Sequence, residues 1–167
     1  CDSSLSLLDD VQAKLVAAAG MTKNEAFAQA KLAPLAVRRD VAMLGVVHRT
    51  VLGRGPKQFQ AFFKADTDGI REGRGKHMLR LLPLPNDASD FALPGSRPAN
   101  YIRNSAVGLI DIYNMLPAQI VEASPCVPSF QRALQELVLA RMQDGCHDWE
   151  NTLSPRIGLH KHPLRSL

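Results

Sequence analysis

Long apolar runs, cysteine clusters and aromatic residues are all scarce in this chain. No run of 18 or more apolar residues occurs, which excludes a transmembrane helix. The longest candidate, Val41–Val47, directly follows Arg38, Arg39 and Asp40. Three cysteines, Cys1, Cys126 and Cys146, are too few and too scattered for a disulfide framework. A reducing intracellular compartment, cytoplasmic or nuclear, is therefore the expectation, with no membrane partner. Aromatic side chains make up 5% of the residues, leaving Tyr101, Tyr113 and Trp149 as the few candidates for stacking on bases. The first residue is Cys1, and no apolar segment follows a basic start, so a fragment or processed piece is expected and nothing argues for secretion.

Catalytic signatures are missing as well. The chain has no Gly-x-Ser-x-Gly, no phosphate-binding glycine loop ahead of Lys-Ser/Thr and no dinucleotide fingerprint. Asp9-Asp10 is the only Asp-Asp pair, and such pairs hold two metals in nucleotidyl transferases. Here the pair sits inside an amphipathic helical pattern, where a solvated face is expected. Asp66-Thr67-Asp68-Gly69 starts like a calcium loop but lacks the third Asp and the closing Glu, so a turn is expected. Cys146, His147, His160 and His162 are potential zinc ligands, but their adjacent and alternate spacing departs from structural zinc sites. Cys126, between two prolines and with no nearby base, is an unconvincing nucleophile. No cofactor or metal is expected in this chain.

What is present is enough for one packed domain. The chain has 167 residues, 46% hydrophobic and 22% charged. A chain of this size buries about 70% of its unfolded surface, without staples. Residues 38–80 carry ten basic and four acidic side chains, while both flanks are nearly neutral. A basic centre of this kind suits phosphates or an acidic partner.

The periodicity predicts an all-α protein, an irregular bundle of about six helices with one long Gly/Pro-rich basic loop. Leu8, Val11 and Leu15 mark a first helix over Leu5–Ala19, stopped by Gly20. Thr22-Lys23-Asn24-Glu25 reads as a capping box opening a short helix through Leu32. Pro34 suits the first turn of the next helix, whose stripe is Val37, Val41, Leu44, His48 and Val51. A further helix over Pro56–Lys64 would be anchored by Phe59, Phe62 and Phe63. Residues 65–100 are rich in Gly and Pro and read as loop, with a short extended piece at His77–Leu82. Helices return over Asn104–Leu116 and, capped by Ser129, through Gln143, with Phe130, Leu134, Leu137 and Val138 inward. The expected organisation is a helical region with a basic helix (1–64), a loop or linker (65–100), C-terminal helices (101–145) and a loosely ordered tail (146–167).

Two basic groups stand out. Arg38, Arg39, Arg49, Arg54 and Lys57 line one helix and its turn, and Arg geometry serves bidentate phosphate contacts. Gly73-Arg74-Gly75-Lys76, with Arg71, His77 and Arg80, could wrap a phosphate through the backbone freedom of its glycines and its positive charge. The alternative for Arg38-Arg39 is intramolecular pairing with Asp40 or with acidic residues of the first helix.

Several phrases occur together in order: Leu8-Asp9-Asp10-Val11-Gln12, Leu32-Ala33-Pro34-Leu35-Ala36-Val37-Arg38-Arg39-Asp40, Leu44-Gly45-Val46-Val47-His48-Arg49, Tyr113-Asn114-Met115-Leu116-Pro117 and Ser129-Phe130-Gln131-Arg132-Ala133-Leu134. Their order and spacing resemble the region downstream of the polymerase core in reverse transcriptases of non-LTR (LINE-type) retrotransposons. The resemblance spans about Leu5–Leu139, with Tyr113 where the family usually has Trp and Gln131 where Lys is common. It implies a non-catalytic accessory region of a retroelement RNA-directed DNA polymerase, binding RNA or DNA backbone without base specificity through Arg38, Arg39, Arg49, Arg54, Lys57, Arg71, Arg74, Lys76 and Arg80. Its partners would be nucleic acid and the upstream polymerase domain of the same polypeptide. The alternatives are a purely structural helical module bracing the polymerase thumb, which would carry an exposed apolar patch, or a decayed element fragment without function.

Overall fold

The computed structural model describes residues 2–71, 76–83 and 105–167. Among them the fold is all-α, with eight α-helices and no strand. The helices are α1 (Asp2–Ala18), α2 (Lys23–Ala30), α3 (Leu35–Val51), α4 (Lys57–Gln60), α5 (Thr67–Arg71), α6 (Ile110–Met115), α7 (Ala118–Val121) and α8 (Val127–Gln143). A 3₁₀ turn, Val107–Leu109, leads into α6, and three more, Trp149–Asn151, Leu159–Lys161 and Pro163–Ser166, follow α8.

Helix α3 forms because its apolar residues recur at helical spacing, and its inward stripe of Val37, Val41, Leu44 and His48 is buried. It packs on α8, which presents Phe130, Leu134 and Val138, all fully buried. Burying each such side chain contributes roughly 1.5–3 kcal/mol. Gly45 sets the closeness of the crossing. A Cβ there would lie 2.5 Å from Gln131 Nε2 and 3.2 Å from Val127 Cγ1, so α8 occupies the space a side chain would need. Tyr113, Ile110, Ile112 and Leu116 of the α6 segment close the core, joined by Phe27 of α2.

The first helical turns follow local chemistry. Gly20, at φ +70°, ends α1. Thr22 then opens α2 with a complete capping box: its hydroxyl accepts from the Glu25 amide at 3.2 Å, and its own amide donates to Glu25 Oε2 at 2.7 Å. The Thr22 contacts hold the Glu25 carboxyl below the usual range. Lys31 ends α2 in the left-handed region, at φ 56°.

Helix α1 turns Val16 inward, while Leu8, Val11 and Leu15 are 54%, 63% and 64% exposed. Four expectations need correction. The helix expected over Pro56–Lys64 is a single turn, because only Phe63 reaches the core while Phe59 and Phe62 remain open to solvent. Helix α8 begins before Ser129: Cys126 is its N-cap, Pro128 sits in its first turn, and the Ser129 hydroxyl donates to the Cys126 carbonyl at 2.8 Å. Residues 146–167 are not a loose tail. Trp149 stacks on Phe27 with centroids 5.6 Å apart, and Leu153 and Leu164 are fully buried. Short 3₁₀ turns lack the 3.6-residue period, which is why no helical pattern marks them. Of the expected loop, Thr67–Arg71 is helical, Ala65 and Leu81 form an isolated antiparallel bridge, and residues 72–75 and 84–100 lie outside the described residues.

Candidate functional site

The nine expected phosphate contacts have different fates. Arg39 faces Asp9 of α1 with both guanidinium arms, each at 3.0 Å, and that pairing pushes its pKa up. Arg80 donates from Nε to Asp66 Oδ2 at 2.7 Å, and Lys76 donates to the Leu164 carbonyl at 2.9 Å. These three serve internal bonds, contrary to the expectation that they face a ligand. Arg38, Arg49, Arg54, Lys57 and Arg71 are exposed. Arg74 lies outside the described residues, as does Tyr101.

Of the exposed arginines on α3 and the turn after it, Arg54 reaches the segment that opens α8. Arg49 Nε donates to the Arg54 carbonyl at 3.0 Å, fixing the turn, and Arg54 Nη1 reaches the Pro125 carbonyl at 3.4 Å. Arg132, exposed in the second turn of α8, joins them. Both Arg54 and Arg132 help hold the Cys126 thiol below its ordinary range, behind the larger effects of the Ser129 side chain and amide. Two guanidinium groups 78 positions apart in the chain therefore act on one point, beside the positive end of a 17-residue helix. Arg132 escaped the sequence reading because it stands alone among neutral neighbours; its only signal was its place in the Ser129–Leu134 phrase.

Other candidates are accounted for by structure. Asp66 Oδ1 accepts the Gly69 amide at 2.8 Å, so the Asp-Thr-Asp-Gly phrase caps α5. His162 Nε2 lies 3.1 Å from the Ser154 carbonyl and its Nδ1 accepts the Leu164 amide at 3.3 Å, so both ring nitrogens serve the C-terminal turns. No three His, Cys, Asp or Glu side chains gather as a metal site among the described residues. A cleft of about 220 Å³ opens between α1, α2 and the start of α3. Its rim sets Asp9, Asp10 and Glu150 against Lys23, the wrong balance for an anion.

The centre of the molecule holds a polar chain. Tyr113 Oη lies 3.0 Å from His48 Nδ1, and His48 Nε2 lies 2.9 Å from the Ser124 carbonyl. A carbonyl only accepts, so Nε2 carries the proton and Nδ1 accepts from the tyrosine. His48 also stacks on Phe130 at 4.1 Å and is fully buried. Burial lowers its pKa and raises that of Tyr113. Asn114 exchanges two bonds of 2.8 Å with the backbone of Leu81. Gln12 likewise donates to the Ala33 carbonyl at 2.9 Å and accepts from the Leu35 amide at 2.8 Å. Asp9 and Gln12, His48, and Tyr113 and Asn114, from the phrases Leu8–Gln12, Leu44–Arg49 and Tyr113–Pro117, thus bond one helix to another segment.

Comparison with protein-family models, curated proteins and solved structures finds no match. Among the described residues, no helix is long and apolar enough to cross a membrane.

Proposed function

We propose that this chain is a non-catalytic accessory region of a retroelement RNA-directed DNA polymerase, contacting RNA or DNA backbone without base specificity inside the cell. The observation that carries the reading is that Arg54 and Arg132 both act on the N-terminal end of α8, with Arg49 fixing the turn that carries Arg54. Guanidinium forks suit phosphate oxygens, and a site without aromatic platforms reads charge rather than base. Lys57, at the start of α4, extends the positive surface.

Fluorescence anisotropy on a structured RNA and on a DNA duplex, from about 50 to 300 mM salt, tests this. A log–log salt slope of about −3 to −6 is expected, and each of Arg54→Ala and Arg132→Ala should flatten it by about 1. Binding that is absent from a folded chain, or indifferent to both substitutions, overturns the reading.

A second reading, a module bracing the polymerase by packing on its upstream domain, draws support from α1. Leu7, Leu8, Val11 and Leu15 are each more than half exposed along one face. Leu8→Lys with Leu15→Lys should leave folding intact and abolish association with the separately produced upstream domain. Association that survives both lysines removes this reading.

A further inference from the structure

Residues 76–82 lie across the α6 segment as a strap held mainly by polar bonds. His77 donates from Nε2 to the Tyr113 carbonyl at 2.9 Å, and the Met78 amide donates to Glu122 Oε1 at 2.7 Å. Leu81 is gripped by Asn114, the Leu82 amide reaches the Lys64 carbonyl at 2.8 Å, and Lys76 and Arg80 reach Leu164 and Asp66. Apolar anchoring rests on two leucines: Leu81 is buried and Leu79 packs half-buried against the core, whereas Met78 and Leu82 are 66% and 44% exposed. A segment with few buried apolar contacts opens below the global unfolding free energy.

His77 is the weak point of the strap. It is buried edge-on to the Tyr113 ring, 5.3 Å between centroids, and its Nδ1 is buried without a hydrogen-bond partner. With Nε2 donating to a carbonyl, the neutral ring leaves Nδ1 as a buried, unused acceptor, already a weakness in the strap. The protonated ring would bury a second N–H and a charge with nothing to accept them.

We propose that His77 is an acid-sensitive latch, whose protonation releases the 76–82 strap from α6 while the α3–α8 core stays folded. The charges around it take opposite sides. Glu122, at the end of α7, favours the imidazolium; Arg80 on the strap opposes it, and His48 lies across Tyr113. Burial outweighs Glu122, so the latch is neutral near pH 7 and the ring protonates below the ordinary histidine range. His48 is not the trigger for strap opening, because it sits between α3, α6 and α8 and its protonation strains the whole core. Opening would free Lys76 and Arg80 from their internal acceptors, but the latch itself does not depend on the nucleic-acid reading.

Hydrogen exchange of the full chain at pH 7.5 and 5.0, corrected for intrinsic rates, tests the latch. The amides of Leu81, Leu82 and Asp66 should open at least about tenfold more at the lower pH, and at both pH values through openings of lower free energy than those that expose Leu134 and Val138 in α8. His77→Gln, which keeps a donor but does not titrate, should remove the difference. Should that variant fail to fold, the ¹⁵N-detected titration of His77 in the unaltered chain decides: its midpoint must coincide with strap opening. Strap amides that exchange no faster than those of α8 at pH 5.0, a pH dependence retained in His77→Gln, or a His77 midpoint apart from strap opening would each overturn the proposal.

Discussion

Arg39 clamps Asp9 with two parallel bonds of 3.0 Å, tying α3 to α1. An arginine that on sequence grounds would contact phosphate is thus a joint between helices. Its side chain is 25% exposed and that of Asp9 40%, so water screens the pair. Arg39→Ala should cost about 1 kcal/mol in urea unfolding. Nucleic-acid affinity and its salt slope should not change. A lost slope at constant stability would assign Arg39 to the binding surface instead.

The bond from Tyr113 to His48 is a second joint, and its loss should be more expensive. Tyr113→Phe removes the donor and leaves His48 Nδ1 buried without one. A buried polar atom left unsatisfied costs about 1–3 kcal/mol, which chemical denaturation would register. A neutral substitution here would mean that another donor replaces the hydroxyl.

Asp40 gives the chain a pH dependence of opposite sign to its buried histidines. Burial raises its carboxyl to about 7, and Arg156 and Arg39 pull it down only in part. The folded state then holds a proton that the unfolded state releases, so this contribution is present at low pH. It is lost as pH rises from the ordinary Asp value toward about 7. Asp40→Asn should leave stability nearly unchanged near pH 4 and raise it near pH 8, by on the order of 4 kcal/mol. Equal stability of the two proteins at pH 8 would refute the buried-carboxyl account.

Buried histidines act the other way. His48, His77 and His162 all have pKa values lowered by burial. The unfolded state binds more protons, so their contribution is present above about pH 6.5 and is lost on acidification. In the Asp40→Asn variant the remaining pH profile should therefore rise from pH 5 to 7 and then flatten.

Lys31 closes α2 with φ 56°, a region that a side chain with a Cβ resists. Lys31→Gly should raise stability by about 0.5–1 kcal/mol, detectable as a higher Tm. A drop would mean that the lysine stem packs usefully where it lies.

Local rules carried the reading of the chain as far as neighbours within one turn decide the outcome. The Thr22–Glu25 box, the Gly20 stop and the buried stripe from Val37 to His48 needed only spacing and cap chemistry. Helix α1 shows the limit. Its pattern places apolar residues on one face, but a pattern has no sign, and the packing of Val16 and Gln12 rather than Leu8 turned that face outward. The C-terminal turns were illegible because their anchors obey no period: Trp149 stacks on Phe27, more than a hundred positions away, and Leu153 and Leu164 join the same core.

The candidate site divides in the same way. Composition and charge order determined that the middle of the chain is basic and that the fold is helical, because both follow from residue types and spacings alone. Which cations are tied down and which gather was decided by the tertiary structure. Arg39 finds Asp9, Arg80 finds Asp66 and Lys76 finds Leu164, while Arg54 and Arg132 both act on Cys126 at the start of α8. Electrostatic partners are chosen by distance in space, and spacing along the chain does not encode that distance once the chain turns back on itself.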